Sequence, residues 1–132
     1  MKLTLAAENS IMILYFLTRE GKRLTVAELS QKLGTPANHI YKLVQSLVRG
    51  GYVRSFQGKV GGVELAANPH KVTLSEIIEH LEGPINLSNC IFREKNCIFI
   101  KNCVLKGKLA AAAQKLVAVL RRTTVQDLVN EK

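Results

Sequence analysis

The sequence predicts a mainly α fold with a small β-wing, a winged helix-turn-helix followed by a long dimerisation helix, and three observations carry that prediction. First, Thr25-Val26-Ala27-Glu28 is a capping box that opens a short helix, Gly34 closes it, and Thr35-Pro36 opens the next at once. Two helices joined by so tight a glycine turn make a helix-turn-helix. Second, Gln57-Gly58-Lys59-Val60-Gly61-Gly62 separates two short alternating segments, the pattern of a β-hairpin. Third, the stretch from Val104 to Arg122 is rich in alanine, leucine and valine and unbroken by proline, which reads as one long helix.

Ahead of these, Asn9 or Ser10 can cap a first helix that runs to about Arg19 and ends at Gly21. Its apolar positions Ile11, Met12, Leu14 and Tyr15 are helically spaced and form a core face. The third helix, over 36–49, gives Ile40, Leu43, Val44 and Leu47 to the core and turns Asn38, His39, Lys42, Gln45 and Ser46 elsewhere. In a helix-turn-helix this second helix enters the major groove with its N-terminal residues leading. Thr35, Ala37, Asn38, His39, Tyr41 and Lys42 are therefore the candidate DNA-contacting residues. Asparagine can pair bidentately with adenine, and lysine can reach guanine or phosphate. A surface or partly buried histidine that contacts nothing is the competing reading of His39.

Gly50-Gly51 ends that helix, Tyr52-Val53-Arg54-Ser55 alternates like a strand, and Val63-Glu64-Leu65 is the return. Arg54, Gln57 and Lys59 lie near the tip of the wing so formed, where the glycines permit close approach to a phosphate backbone. A phosphate-cradling loop of a nucleotide enzyme is excluded, because neither a Gly-Lys-Ser/Thr ending nor a following helix is present. Thr73-Leu74-Ser75-Glu76 is a second capping box, opening a helix to Glu82 that Gly83-Pro84 stops. Thr124-Val125-Gln126-Asp127 caps a last short helix. The long helix carries Leu105, Leu109, Ala112, Leu116, Val119 and Leu120 with little core of its own to cover, so pairing with a second copy of the chain is expected. The expected division is a DNA-binding domain over 1–83, a cysteine loop over 84–103, and a dimerisation helix with its short C-terminal helix over 104–132.

All three cysteines, Cys90, Cys97 and Cys103, lie in that loop, with six and then five residues between them. An odd number cannot be fully paired within one chain. Clustered thiols suit a soft metal centre, zinc, copper(I) or iron–sulfur. Structural zinc would normally use a closed set of four ligands, often in Cys-x2-Cys pairs, and none occurs. The wide spacing fits a larger object such as a cluster, with a fourth ligand from elsewhere. Buried structural cysteines or a thiol redox switch remain as the other readings.

A net charge of +9 in 132 residues, with a pI near 9.8, favours a polyanionic partner over a neutral one. No Ser/His/Asp arrangement, paired acids or nucleotide loop supports an enzyme. No apolar run reaches the roughly 18 residues of a membrane span. Glu8, Asn9 and Ser10 interrupt the apolar N-terminal run and no small-residue cleavage site follows Leu17, so a cytoplasmic protein without a signal peptide is expected.

Several stretches together resemble the Rrf2 family of winged-helix transcription regulators over nearly the whole chain. They are Met1-Lys2-Leu3-Thr4, Asn38-His39-Ile40-Tyr41-Lys42-Leu43-Val44, Gly51-Tyr52-Val53, Gly58-Lys59-Val60-Gly61-Gly62, Leu81-Glu82-Gly83-Pro84 and Thr124-Val125-Gln126-Asp127-Leu128. The nitric-oxide-sensing repressor branch is the nearest likeness. The resemblance implies a homodimer with crossed long helices that binds a palindromic operator in double-stranded DNA, carrying one iron–sulfur cluster per subunit. It implies that Cys90, Cys97 and Cys103 are the cluster cysteines and that Glu8, contributed from the partner subunit, stands where that branch usually has an aspartate ligand. A solvated helix-start carboxylate is the rival reading of Glu8. Relatives that govern cluster biogenesis place a histidine three residues after the last cysteine. Lys106 stands there, which favours 4Fe–4S over 2Fe–2S. His70 and His80 remain as possible ligands. Regulation by iron supply, redox state or cluster demand, and a cluster-free thiol switch, are the alternatives to nitric oxide.

Overall fold

The structure, a computed structural model, describes residues 2–87 and 103–131, so the candidate ligands Cys90 and Cys97 lie outside the described residues. The elements in order are α1 (Leu5–Glu20), α2 (Val26–Leu33), α3 (Ala37–Arg49), β1 (Val53–Phe56), β2 (Gly62–Leu65), α4 (Leu74–Glu82), α5 (Val104–Arg122) and α6 (Val125–Asn130).

Helix α1 begins earlier than its polar pair suggested. The Thr4 hydroxyl accepts from the Ala7 amide at 3.1 Å and caps it, which leaves Asn9 and Ser10 inside the helix and buried. The two residues share a face with Ile13 and Leu17, so their polar atoms point into the protein. Gly21 (φ +62°) ends the helix in the left-handed region, as expected. Helix α2 has the full capping box, Glu28 amide to Thr25 hydroxyl at 3.0 Å and Thr25 amide to Glu28 carboxylate at 3.4 Å. Helix α3 does not start as its sequence suggested. Pro36 occupies the N-cap without a side-chain cap bond, and the Thr35 hydroxyl is drawn inward. There it accepts from Asn9 Nδ2 at 3.2 Å, because a buried amide needs an acceptor.

Strands β1 and β2 pair antiparallel from Val53 opposite Leu65 to Phe56 opposite Gly62. Leu24 bridges to Val63 from the other side of β2, its amide to the Val63 carbonyl at 2.9 Å and the reverse bond at 2.7 Å. Helix α4 is capped by Thr73, whose hydroxyl accepts from the Glu76 amide at 3.3 Å. Helix α6 carries a full capping box between Thr124 and Asp127. Its entry is stitched to the entry of α4 by Leu74 amide to Thr123 carbonyl (2.9 Å) and Val125 amide to Val72 carbonyl (3.0 Å).

One core joins these parts. Ile13, Leu14 and Leu17 of α1 meet Leu24, Leu29 of α2, Ile40 and Leu47 of α3, Val53 and Val63 of the wing, Ile77 and Ile78 of α4 and Val125 of α6, all essentially inaccessible to solvent. Met12 and Tyr15, expected on the core face of α1, are half-buried, whereas Ile13 and Leu17 take the interior places. Helix α5 buries only Ala113, while Val104, Leu105, Leu116 and Val119 are exposed. Among the described residues, no helix is long and apolar enough to cross a membrane.

Two stability outcomes follow from local geometry. The Ser10 hydroxyl is fully buried and, among the described residues, has no hydrogen-bond partner. Ser10→Ala is expected to raise the unfolding free energy by about 1 kcal/mol in urea denaturation, since it removes an unpaired polar group and improves helix propensity. Gly62 holds φ +136°, and a Cβ there would stand 2.8 Å from Arg23 Cγ and 2.9 Å from the Leu24 oxygen. Gly62→Ala is expected to cost about 2 kcal/mol in the same measurement, from strain and collision together.

Candidate nucleic-acid interface and ligand positions

Helix α3 buries one face, with Ile40, Val44 and Leu47 against α1 and the wing, and so must present the opposite one. Ala37, Asn38, His39, Tyr41 and Lys42 are all exposed on it. Hydrophobic anchoring on one side thus leaves the polar row free over the first two turns of the helix. Tyr41 lines a cleft of about 370 Å³ together with Thr25 and the wing residues Ser55, Gln57 and Lys59. The recognition helix and the wing tip therefore open onto one concave surface.

Two of the sequence-derived contact residues stand apart from it. Thr35 is buried, its hydroxyl committed to Asn9 and its carbonyl to the Ser30 hydroxyl at 2.5 Å. Arg54 lies on the outer face of the wing, bordering a different cavity of about 330 Å³ with Arg23 and Glu64. There its Nε is 3.4 Å from Glu64 Oε1, and its Nη2 donates to the Leu65 carbonyl at 3.4 Å. Strand alternation is the reason: Arg54 and Glu64 are cross-strand partners on the face opposite the buried Val53 and Val63.

The C-terminal end of α3 is held by α4. A Cβ on Gly50 would lie 2.6 Å from the Tyr52 ring and 3.0 Å from His80, so glycine lets the two elements close. His80 stacks edge-to-face on Tyr52, and its Nε2 is 2.9 Å from the Ser46 carbonyl. That contact gives His80 a packing role at the end of the recognition helix. His70 is exposed in the loop before α4. Burial, with the charge of Glu76 adding to it, raises the Tyr52 phenol above its ordinary value. Its neutral form is the one folding favours, so that contribution is present below pH ~10 and fades as pH rises through the folded value. On α1, the Glu20 carboxyl is lowered by its hydrogen bond from Lys32 and by the charge of that lysine. Its contribution is present above the ordinary carboxylate range and is lost as pH falls through the lowered value.

Of the four expected cluster ligands, two are described. Cys103 is the N-cap of α5, and its sulfur accepts from the Lys106 amide at 3.3 Å. A helix N-terminus presents the positive end of its dipole to that sulfur, which suits an anionic, metal-bound thiolate. Glu8 is exposed in the first turn of α1. Among the described residues, no group of three or more His, Cys, Asp or Glu side chains is gathered as a metal site. The donor set itself, three thiols within fourteen residues of sequence, fits an iron–sulfur cluster better than it fits a hard cation.

A family model described as "Rrf2: Iron-dependent Transcriptional regulator" matches residues 3–131. The chain belongs to the Rrf2 family. It is therefore a DNA-binding transcription regulator and not an enzyme. Among curated Rrf2-type relatives, the HTH-type transcriptional regulator NsrR of Bacillus subtilis is 31% identical, covering 100% of this chain and 92% of that protein. NsrR of Bacillus licheniformis is 32% identical over 98% of this chain and 92% of that protein. The fold matches solved structures at lower identity. Oxidised CymR of Staphylococcus aureus superposes with a TM-score of 0.82 at 19% identity, covering 100% of this chain and 98% of that one. IscR of T. potens gives 0.77 at 19% identity, covering 98% and 86%. These shared architectures make the winged helix-turn-helix a property of the chain.

Two contacts near the interface escape sequence reading. The Asn9–Thr35 bond ties α1 to the turn of the helix-turn-helix across 26 residues of sequence. Arg23, in the α1–α2 connection, reaches the wing tip across 37 residues. Neither has a local signal, since only the fold brings the partners together. Thr35→Val is expected to lower the unfolding free energy by about 1–2 kcal/mol in chemical denaturation, because it leaves the buried Asn9 amide without its acceptor.

Proposed function

We propose that this Rrf2 regulator is a homodimeric repressor that binds a palindromic operator while an iron–sulfur cluster is held, and that nitric oxide is the signal that ends binding. The observation that carries the DNA half of this reading is the shared concave surface of Tyr41, Gln57 and Lys59, flanked by the exposed Asn38, His39 and Lys42. Each recognition helix enters a major groove, with Asn38 and Lys42 as base-edge or phosphate contacts. Lys59 lies along the neighbouring phosphates. The apolar residues left exposed on α5 support burial against a second copy of the chain.

Cys90, Cys97 and Cys103, with the partner subunit's Glu8, are the proposed ligands of a 4Fe–4S cluster. When bound, such a cluster supplies iron that is reactive towards nitric oxide. Cys103 then matters twice, because its sulfur also caps α5. Releasing or gripping that sulfur changes how the helix begins, and α5 in turn packs on α4, whose His80 holds the end of α3. Such a coupling biases DNA binding only by the difference in stability between the two dimer states. The likeness to the two NsrR proteins supports nitric oxide as the signal. The family description, iron-dependent regulation, favours iron supply as the second reading.

Anaerobic purification with absorbance and native mass spectrometry is expected to show a cluster-containing dimer that loses its cluster on adding nitric oxide. The same measurement on Glu8→Ala is expected to show a weakened or smaller cluster, and an unchanged one would remove Glu8 from the ligand set. Loss of cluster and operator binding under iron chelation, with slow response to nitric oxide, would select the second reading. In DNA binding, Lys42→Ala or Lys59→Ala should weaken affinity across sequences and reduce the salt slope by about 1, whereas Asn38→Ala should relax specificity at one base position.

A further inference from the structure

The wing tip, residues 57–61, extends past the last paired rung, Phe56 opposite Gly62. Its own turn supplies one backbone bond, Gly61 amide to Gly58 carbonyl at 3.0 Å. Arg23 reaches it from the α1–α2 connection. Its Nη1 donates to the Val60 carbonyl at 2.6 Å, and its guanidinium carbon stands 3.7 Å from the centre of the Phe56 ring. Its Nη2 is 3.5 Å from Glu64 Oε2, while the other oxygen of that carboxylate faces Arg54. Gly62 has no Cβ, and that is what lets the stem of Arg23 pass. One planar cation therefore contacts the tip, the end of β1 and the middle of β2 at once.

We propose that Arg23 is a positioning residue for DNA binding: from outside the helix-turn-helix, it sets the distance between the wing tip and the recognition helix. The inference rests on the reading that Lys59 meets the phosphate backbone. Three features support it over a general surface ion pair, which would contribute little. The Arg23 side chain is only about one-third exposed. It makes a short bond to a main-chain carbonyl of the tip rather than to a mobile side chain alone. Its backbone neighbour Leu24 is already locked to Val63 by two bonds, so Arg23 springs from a fixed base. That same pairing holds β2 just behind the tip without Arg23, so removing the side chain should free the tip and leave the fold intact.

The test is a double-mutant cycle read by fluorescence anisotropy on a duplex at several salt concentrations, with circular dichroism melts as a control. Lys59→Ala is expected to weaken binding about fivefold and lower the salt slope by about 1. Arg23→Ala should produce a similar loss with a melt close to that of the parent. In the Lys59→Ala background it should cost about twofold or less, since a misplaced tip has no contact left to lose. Phe56→Leu, which removes the stack but keeps the charge, should move affinity in the same direction and serves if Arg23→Ala does not fold. Parent-like binding by folded Arg23→Ala, or equal losses in both backgrounds, would overturn the inference alone. No effect of Lys59→Ala would overturn the placement of the wing on phosphates and the inference with it.

Discussion

Burial of one face of α1 is the constraint on which the rest of the molecule depends. Ile13, Leu14 and Leu17 are enclosed by α2, α3, α4, α6 and the second wing strand, and each such side chain contributes roughly 2 kcal/mol by leaving water. Because α2, α3, α4, α6 and β2 all pack on this helix, its orientation sets theirs. The exposed row of α3 faces outward because the opposite row is pinned to α1, and the wing stands beside it because Val53 and Val63 enter the same core. Asn9 places a polar atom in this apolar contact and finds its acceptor on Thr35, at the turn before the recognition helix. A buried, directional bond at that point specifies how the helix-turn-helix sits on α1, which apolar packing alone does less sharply.

The long helix obeys the same logic with the opposite result. Its residues cannot all reach the core around α1, so several large apolar side chains stay in solvent within the single chain. Cys103 begins that helix and Val125, just beyond it, returns to the core. The segment thereby begins at the last of the three cysteines and, through α6, ends against α1. Under the proposed reading, a change in how Cys103 is held would reach the core along a helix rather than along a flexible linker.

Local chemistry explains why so much was legible in advance. The capping boxes at Thr25 and Thr124, the left-handed glycines at 21 and 34, and the glycine hairpin of the wing all act within a few residues, so their meaning survives without a fold. The family resemblance shares two of these stretches, the wing glycines and Thr124–Leu128, and otherwise rests on short motifs elsewhere. Misreadings arose where a polar residue had two options. Asn9 and Ser10 look like a helix start because asparagine and serine favour caps, yet burial on α1 outweighs that preference. Thr35 looks like a cap for the same reason, and the buried Asn9 amide claims it instead.

By itself, the sequence determined the order and kind of the described elements, the exposed composition of the recognition helix, and the clustering of three thiols ahead of a long helix. Those follow from periodicity, capping and spacing, which are properties of neighbours along the chain. Only the tertiary structure decided that Tyr41 shares a cleft with Gln57 and Lys59, that Arg54 turns away to Glu64, and that Arg23 grips the wing tip. These depend on which faces of separate elements meet once α1 is buried, and sequence separations of ten to about forty residues carry no local trace of that meeting.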